Sequence, residues 1–216
     1  MLILAPAAAP PGIAYVQGIC GTGSTTAAPK AIFGAPVGAG NTVIGASVGN
    51  AAVVNSVTDD KGNTYQLLNY YNGSLGTPTM QTFVCTNITN GPTTITVTQT
   101  SSVYAQVAVL EYSGVASIDQ HAINYQASPG TGTDGITSGS VTTTQNNEQI
   151  VGLSSSANGH ANAAGTGFVQ RAHDSTTSAY GLGSEDLTQS LAGLVAATCT
   201  GPGVGAGCAI VTLKHS

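Results

Sequence analysis

The segment Thr94-Ile95-Thr96-Val97-Thr98 alternates strictly between hydroxylated and apolar side chains. A period of two places one kind on each face of an extended strand, and no helix can use it. Comparable runs recur at 13–19, 41–44, 52–54, 102–112, 140–144, 149–153, 167–172, 194–199 and 208–214. Clusters of Gly, Asn, Pro and Ser separate them at about 8–12 residues, the spacing of a sandwich or barrel. The longest run, SVYAQVAVLEY at 102–112, is almost continuously apolar in its centre. The 29 glycines and the frequent Thr and Val are poor helix formers, which leaves only Ser184-Glu185-Asp186-Leu187 as a candidate helical turn. No repeat of 20–50 residues is present, so a solenoid or propeller is excluded. The expected fold is all-β: a jelly-roll-like antiparallel β-sandwich, with residues 13–216 as a single domain.

Charged residues make up 6% of the chain, against about 25% in an ordinary globular protein. The only cations are Lys30, Lys61, Arg171 and Lys214, and the formal net charge is -5. Four scattered cations cannot replace the counterions of a phosphate backbone, so nucleic acid is excluded as a partner. The chain is still 41% apolar and therefore has the means to build a core. Its solubility must come from Thr, Ser, Asn, Gln and Gly, a surface chemistry common in secreted β-proteins, fibres and virions. The opening MLILAPAAAPPGIAYV lacks a basic region and carries Pro6, Pro10 and Pro11. It does not read as a signal peptide. Residues 1–12 read as an extended Pro-rich arm, lying on a neighbour or hanging free. No run of about 20 apolar residues offers a membrane helix, so no membrane insertion is expected.

Motifs for chemistry are few. In VTDDKGNTY (57–65), Asp60-Lys61-Gly62-Asn63 reads as a hairpin turn, with Gly62 at positive φ and an Asp capping backbone amides. A calcium loop starting at Asp59 would need Gly at its sixth position and Glu at its twelfth; Thr64 and Tyr70 stand there. Gly45-Ala46-Ser47-Val48-Gly49 matches G-x-S-x-G, but a β-branched segment follows where a nucleophile elbow needs a helix. His121, His160, His173 and His215 show no metal-ligand spacing, and on a strand the adjacent His173 and Asp174 would point apart. Glu111, Glu148, Glu185 and Asp186 are the remaining obvious acids. Glu111, in the longest strand, carries a weak hydrolase reading, since a glycosidase needs two carboxyls across a cleft. No catalytic residue, cofactor or metal is assigned.

Tyr65, Tyr70 and Tyr71, with Asn69 and Asn72, form the one cluster suited to stacking and hydrogen-bonding a sugar. The competing reading puts Tyr65 and one of Tyr70–Tyr71 in the core. Asn72-Gly73-Ser74 and Asn87-Ile88-Thr89 are glycosylation sequons of the kind chance supplies in such a composition. Of Cys20, Cys85, Cys199 and Cys208, none shows C-x-x-C spacing. Cys199 and Cys208 bracket a Gly-rich stretch that could close a hairpin; a disulfide there and four free buried thiols are both open.

The order GNTVIGASV, VTDDKGNTYQLL, TFVCTNI, TTITVTQ, SVYAQVAVLEYSGV, with VTTTQNNEQIVGLSSS, GTGFVQRA and CAIVTLK in the second half, resembles a β-sandwich domain family of bacterial extracellular proteins and some phage proteins. The resemblance spans about residues 31–214 and implies a jelly-roll-like fold without a defining activity. Cys85, where such domains carry Ala, and the absence of Trp depart from the pattern. The combined expectation is a non-enzymatic structural or surface protein. Its most specific form is a bacteriophage virion component: a capsid decoration (cement) protein, head fibre or tail protein, in a homo-oligomer or symmetric assembly with other virion or surface proteins. The alternative is a carbohydrate-binding or adhesin module that engages a host surface glycan. Either role places the protein on a virion or extracellular surface.

Overall fold

A computed structural model describes residues 12–73, 77–128, 130–157, 163–174, 180–202 and 205–216. The expected arm lies outside them except for Gly12. The described residues form strands and no helix. The first half holds β1 (Ala14–Cys20), β2 (Ser24–Thr26), β3 (Lys30–Ile32), β4 (Thr42–Asn50), β5 (Val54–Asp59), β6 (Gln66–Tyr71), β7 (Pro78–Cys85), β8 (Thr94–Gln99) and β9 (Val103–Ser113). The second half holds β10 (Val115–Gln126), β11 (Thr131–Thr137), β12 (Val141–Thr142), β13 (Glu148–Ala157), β14 (Val169–His173), β15 (Tyr180–Gln189), β16 (Leu194–Val195), β17 (Thr198–Pro202) and β18 (Ala206–His215).

The all-β antiparallel sandwich is as expected, and it carries additional layers. Sheet one has the order β1-β9-β4-β7-β6, with β2 on β9; sheet two has the order β10-β18-β13-β15-β14. Their facing sides share one core, in which Ile44, Met80 and Leu110 meet Val151, Leu182 and Val211. The outer side of sheet one is covered by β3-β8-β5, through a second core of Val43, Phe83 and Val109 against Ala31, Val57 and Ile95. The outer side of sheet two is covered by the ribbons β11-β17 and β12-β16, through a third core around Ile136, Ile150 and Ile210.

Coverage on both sides explains the burial pattern. β8 lies in an outer layer and alternates, as its sequence demands; β7 and β13 are buried at every position. A strand enclosed on both faces needs no polar side. It does need room, and small residues supply it. A Cβ on Gly45 would come within 2.8 Å of the Phe83 ring, and one on Gly152 within 2.6 Å of the Glu185 side chain.

Those two glycines occupy the same place in a duplicated architecture. In the first half Ile44 pairs with Val84 and Leu110; Val84 pairs on to Gln66, and Leu110 on to Gly18. In the second half Val151 pairs with Asp186 and Val211; Asp186 pairs on to Val169, and Val211 on to His121. Even the edge bulges coincide, after Leu67 in β6 and after Gln170 in β14. Each half thus runs from its first strand to its last in one order, and the halves meet through equivalent sheets. Strand β1 packs on β14 as β6 packs on β10, and β9 on β15 as β7 on β18. This is the arrangement of a two-fold dimer made within one chain.

Three local expectations are corrected. Ser184–Leu187 is the centre of β15, because both faces of that segment are enclosed and its amides are taken by β13. Asp60–Asn63 does turn, with Gly62 at φ 84°, but it connects two sheets: β5 pairs with β8 and β6 with β7. Cys199 and Cys208 do not bracket a hairpin, since β17 pairs with β11 while β18 pairs with β10 and β13.

Candidate functional site

The expected tyrosine platform is dispersed. Tyr65 is 8% exposed, sits edge-on to Phe83 with ring centroids 6.0 Å apart, and donates its hydroxyl to Asp59 at 3.1 Å. It is a core residue and cannot stack a sugar. Tyr70 and Tyr71 are strand neighbours and point to opposite faces. Tyr70 pairs with Gln81 and is 39% exposed; Tyr71 stacks on Tyr125 of β10 at 4.2 Å, with the planes 9° apart. Only Tyr71 therefore reaches the seam between the two sheets, where Asn69 joins it. Asn69 donates to Ala122 O at 3.1 Å, and its Oδ1 lies 2.8 Å from His121 Nδ1.

Beyond this zipper the β6–β10 seam opens into a cleft of about 500 Å³. Leu68, Val84 and Ile118 contribute its apolar lining, and Gln66, Thr64, Ser117, His121 and Asp119 its polar lining. The Lys214 ammonium lies 2.8 Å from Asp119, which also accepts from the Thr144 amide at 2.8 Å. Burial opposes ionisation of Asp119, but Lys214 and Thr144 outweigh it and hold the carboxyl at about 2. The cleft is thus polar, with its one carboxylate neutralised by a cation.

The opposite seam shows why this one is open. By register, Leu68, Val84 and Ile118 correspond to Arg171, Asp186 and Tyr15. In the β1–β14 seam those larger groups interlock. Arg171 Nε lies 2.8 Å from Asp186 Oδ2, and its guanidinium sits 4.1 Å from the Tyr15 ring centroid. Tyr112 donates to the same Asp186 oxygen at 2.8 Å, and burial, followed by the Asp186 charge, pushes the Tyr112 phenol well above its usual range. One seam is closed by a charged staple; its mate has aliphatic side chains and a void.

The other sequence candidates have structural partners. Ser47 lies inside β4, donates to Gln106 O at 3.3 Å and accepts from Gln99 at 3.2 Å; no elbow exists there. Glu111 is 1% exposed and accepts from Gly38 N at 2.7 Å, from Gln17 at 2.6 Å and from Asn41. Asp59 caps the turn amides of Lys61 and Asn63, and Asp60 those of Thr93 and Thr94. Glu148 is fully buried beneath the amides of Thr144 and Gln145, and burial raises its pKa. His173 ends β14, followed by Asp174; His160 and Ser74 of the first sequon lie outside the described residues. Among the described residues no group of three or more His, Cys, Asp and Glu is placed to hold a metal.

Glu185 was visible in the sequence only as an acid in a supposed helical turn. The register places it where the first half has Phe83, in the core beneath the outer layer. It is 3% exposed, and it accepts from Gly165 N at 2.8 Å. Burial, reinforced by the charges of Asp134 and Asp186, outweighs the amides and raises the carboxyl to about 7. All four cysteines are free thiols, and Cys199 and Cys208 share the third core. Comparison of the chain with family models, with curated proteins and with solved structures finds no match.

Proposed function

We propose that the chain is a non-enzymatic structural protein of an assembled surface, most specifically a bacteriophage virion component such as a capsid decoration protein, head fibre or tail protein. The observation that carries this reading is where the acids are used. Asp59, Asp60, Glu111, Asp119, Asp134, Glu148, Glu185 and Asp186 accept hydrogen bonds from the chain's own groups, at turns, at loop amides and across the closed seam. The chemistry that an enzyme would aim at a substrate here organises loops over a layered scaffold. A surface rich in Thr, Ser, Asn and Gln suits contacts of large area repeated by symmetry, in which no single site dominates. The resemblance carried by VTDDKGNTY and EYSGV points the same way. Sedimentation of the protein from its natural source tests the reading. Co-sedimentation with large particles at fixed stoichiometry is the expected result; a free species of 21.3 kDa refutes it.

A second reading, a carbohydrate-binding module, draws support from the β6–β10 cleft. Hydroxyl, amide and imidazole groups over an aliphatic lining suit a neutral polyhydroxylated ring. A glycan screen against the intact protein and the Gln66→Ala and His121→Ala variants tests it. Signal lost in both variants supports the cleft; no signal, or signal kept in both, rejects it.

A further inference from the structure

The outer layer on sheet two is the more divided of the two. Three contiguous strands cover sheet one, whereas two separate two-stranded ribbons cover sheet two. The register identifies one substitution beneath that layer. Val107 pairs with Ser47 in the first half, and Cys208 pairs with Ser154 at the same place in the second. Val107 packs into the second core with Val97 of β8. Cys208 packs into the third core with Cys199 of β17. Cys208 is fully buried and Cys199 is 1% exposed. The Cys208 thiol reaches across the layers to Ala197 O at 3.7 Å, two residues before Cys199 on the run into β17. Cys85 belongs to the second core and Cys20 packs against the first, so neither shares a core with this pair.

We propose that Cys199 and Cys208 close an inter-layer disulfide when the chain folds in the presence of a small-molecule disulfide, fastening the β11-β17 ribbon to sheet two. One cysteine thiolate attacks the oxidant, giving a mixed disulfide and releasing one small thiol. The second thiolate attacks the protein sulfur of that mixed disulfide and releases the other small thiol. The two cysteines lose two electrons and two protons, and the oxidant is reduced to two thiols. The neighbouring Cys199 thiol, with burial behind it, pushes the Cys208 thiol well up. Thiolate is therefore scarce once the layer has docked, and the bond forms while the ribbon is still settling. The proposal is independent of what the protein assembles with.

The test refolds the full chain from urea in oxidised plus reduced glutathione, and in reductant alone. Free thiols are trapped by alkylation, and intact mass and peptide mapping follow. The expected product in oxidant has lost two hydrogens, links Cys199 to Cys208, and leaves Cys20 and Cys85 alkylated. Its urea midpoint lies above that of the reduced form, and native reduced protein given the same oxidant converts far more slowly. The Cys208→Val variant, which borrows the residue of the first half, folds and shows neither the link nor the rise. Four alkylated thiols after oxidative refolding, glutathione adducts alone, or a link through Cys20 or Cys85 overturns the proposal. So does a midpoint rise that survives in Cys208→Val.

Discussion

Replacing Glu185 by Gln should change how stability depends on pH. In the folded chain Glu185 keeps its proton up to about 7, whereas an exposed glutamate releases it near 4.5. Between those values the native state binds more protons than the unfolded state. Stability contributed at this position is therefore present below pH 4.5, falls as pH rises, and levels off above 7. A displacement of that size corresponds to about 3 kcal/mol. Gln is nearly isosteric, does not titrate, and can still accept from the Gly165 amide. Urea unfolding of both proteins at intervals from pH 4 to 8 gives the difference between them, in which the titrations of Asp119, Glu148 and other groups that do not act on Glu185 cancel. That difference should move by about 3 kcal/mol in favour of the Gln variant as pH rises, most of it between 4.5 and 7. A difference that stays flat with pH would refute the argument that burial, at a place built for Phe and reinforced by Asp134 and Asp186, dominates this carboxyl.

Two further substitutions test the packing. Gly152→Ala puts a methyl where Glu185 Cγ and the Ala197 methyl already lie within 3.0 Å, and should cost about 1–3 kcal/mol in urea unfolding. Arg171→Leu leaves Asp186 buried without its cation and should cost about 3 kcal/mol; adding Asp186→Val, the residue of the open seam, should recover most of that loss and create a second cleft, visible by crystallography.

The alternating strand β8 was legible because one face of it meets solvent. Enclosed strands were legible only where they are aliphatic, as in β9. In β13 the run Ser154-Ser155-Ser156 is buried, and hydroxyls at close layer contacts look in sequence like a loop. β15 was misread because GLGSEDLTQ offers neither period; its acids are tolerated only through partners far along the chain, Arg171 and Tyr112 for Asp186 and Gly165 for Glu185. The tyrosine cluster misled by sequence proximity, since Tyr70 and Tyr71 lie on opposite faces of β6. The duplication left a trace in GNTY against GTGF and in TVIGASV against QIVGLSS, too few identities to stand out at so long a period. The open cleft had no local signal at all: it is defined by what its two-fold mate contains.

The two halves are joined by a single residue, Gly114, held at φ 75°. In each half the first strand pairs with the last, Ala14 with Ser113 and Val115 with His215, so neither half needs the other to complete its own hydrogen-bonded order. What each lacks alone is a cover for one apolar sheet face. The peptide link at Gly114 supplies that cover at an effective concentration no separate partner would reach in a cell. A chain cut there would become a concentration-dependent heterodimer, sensitive to dilution where the intact molecule is not.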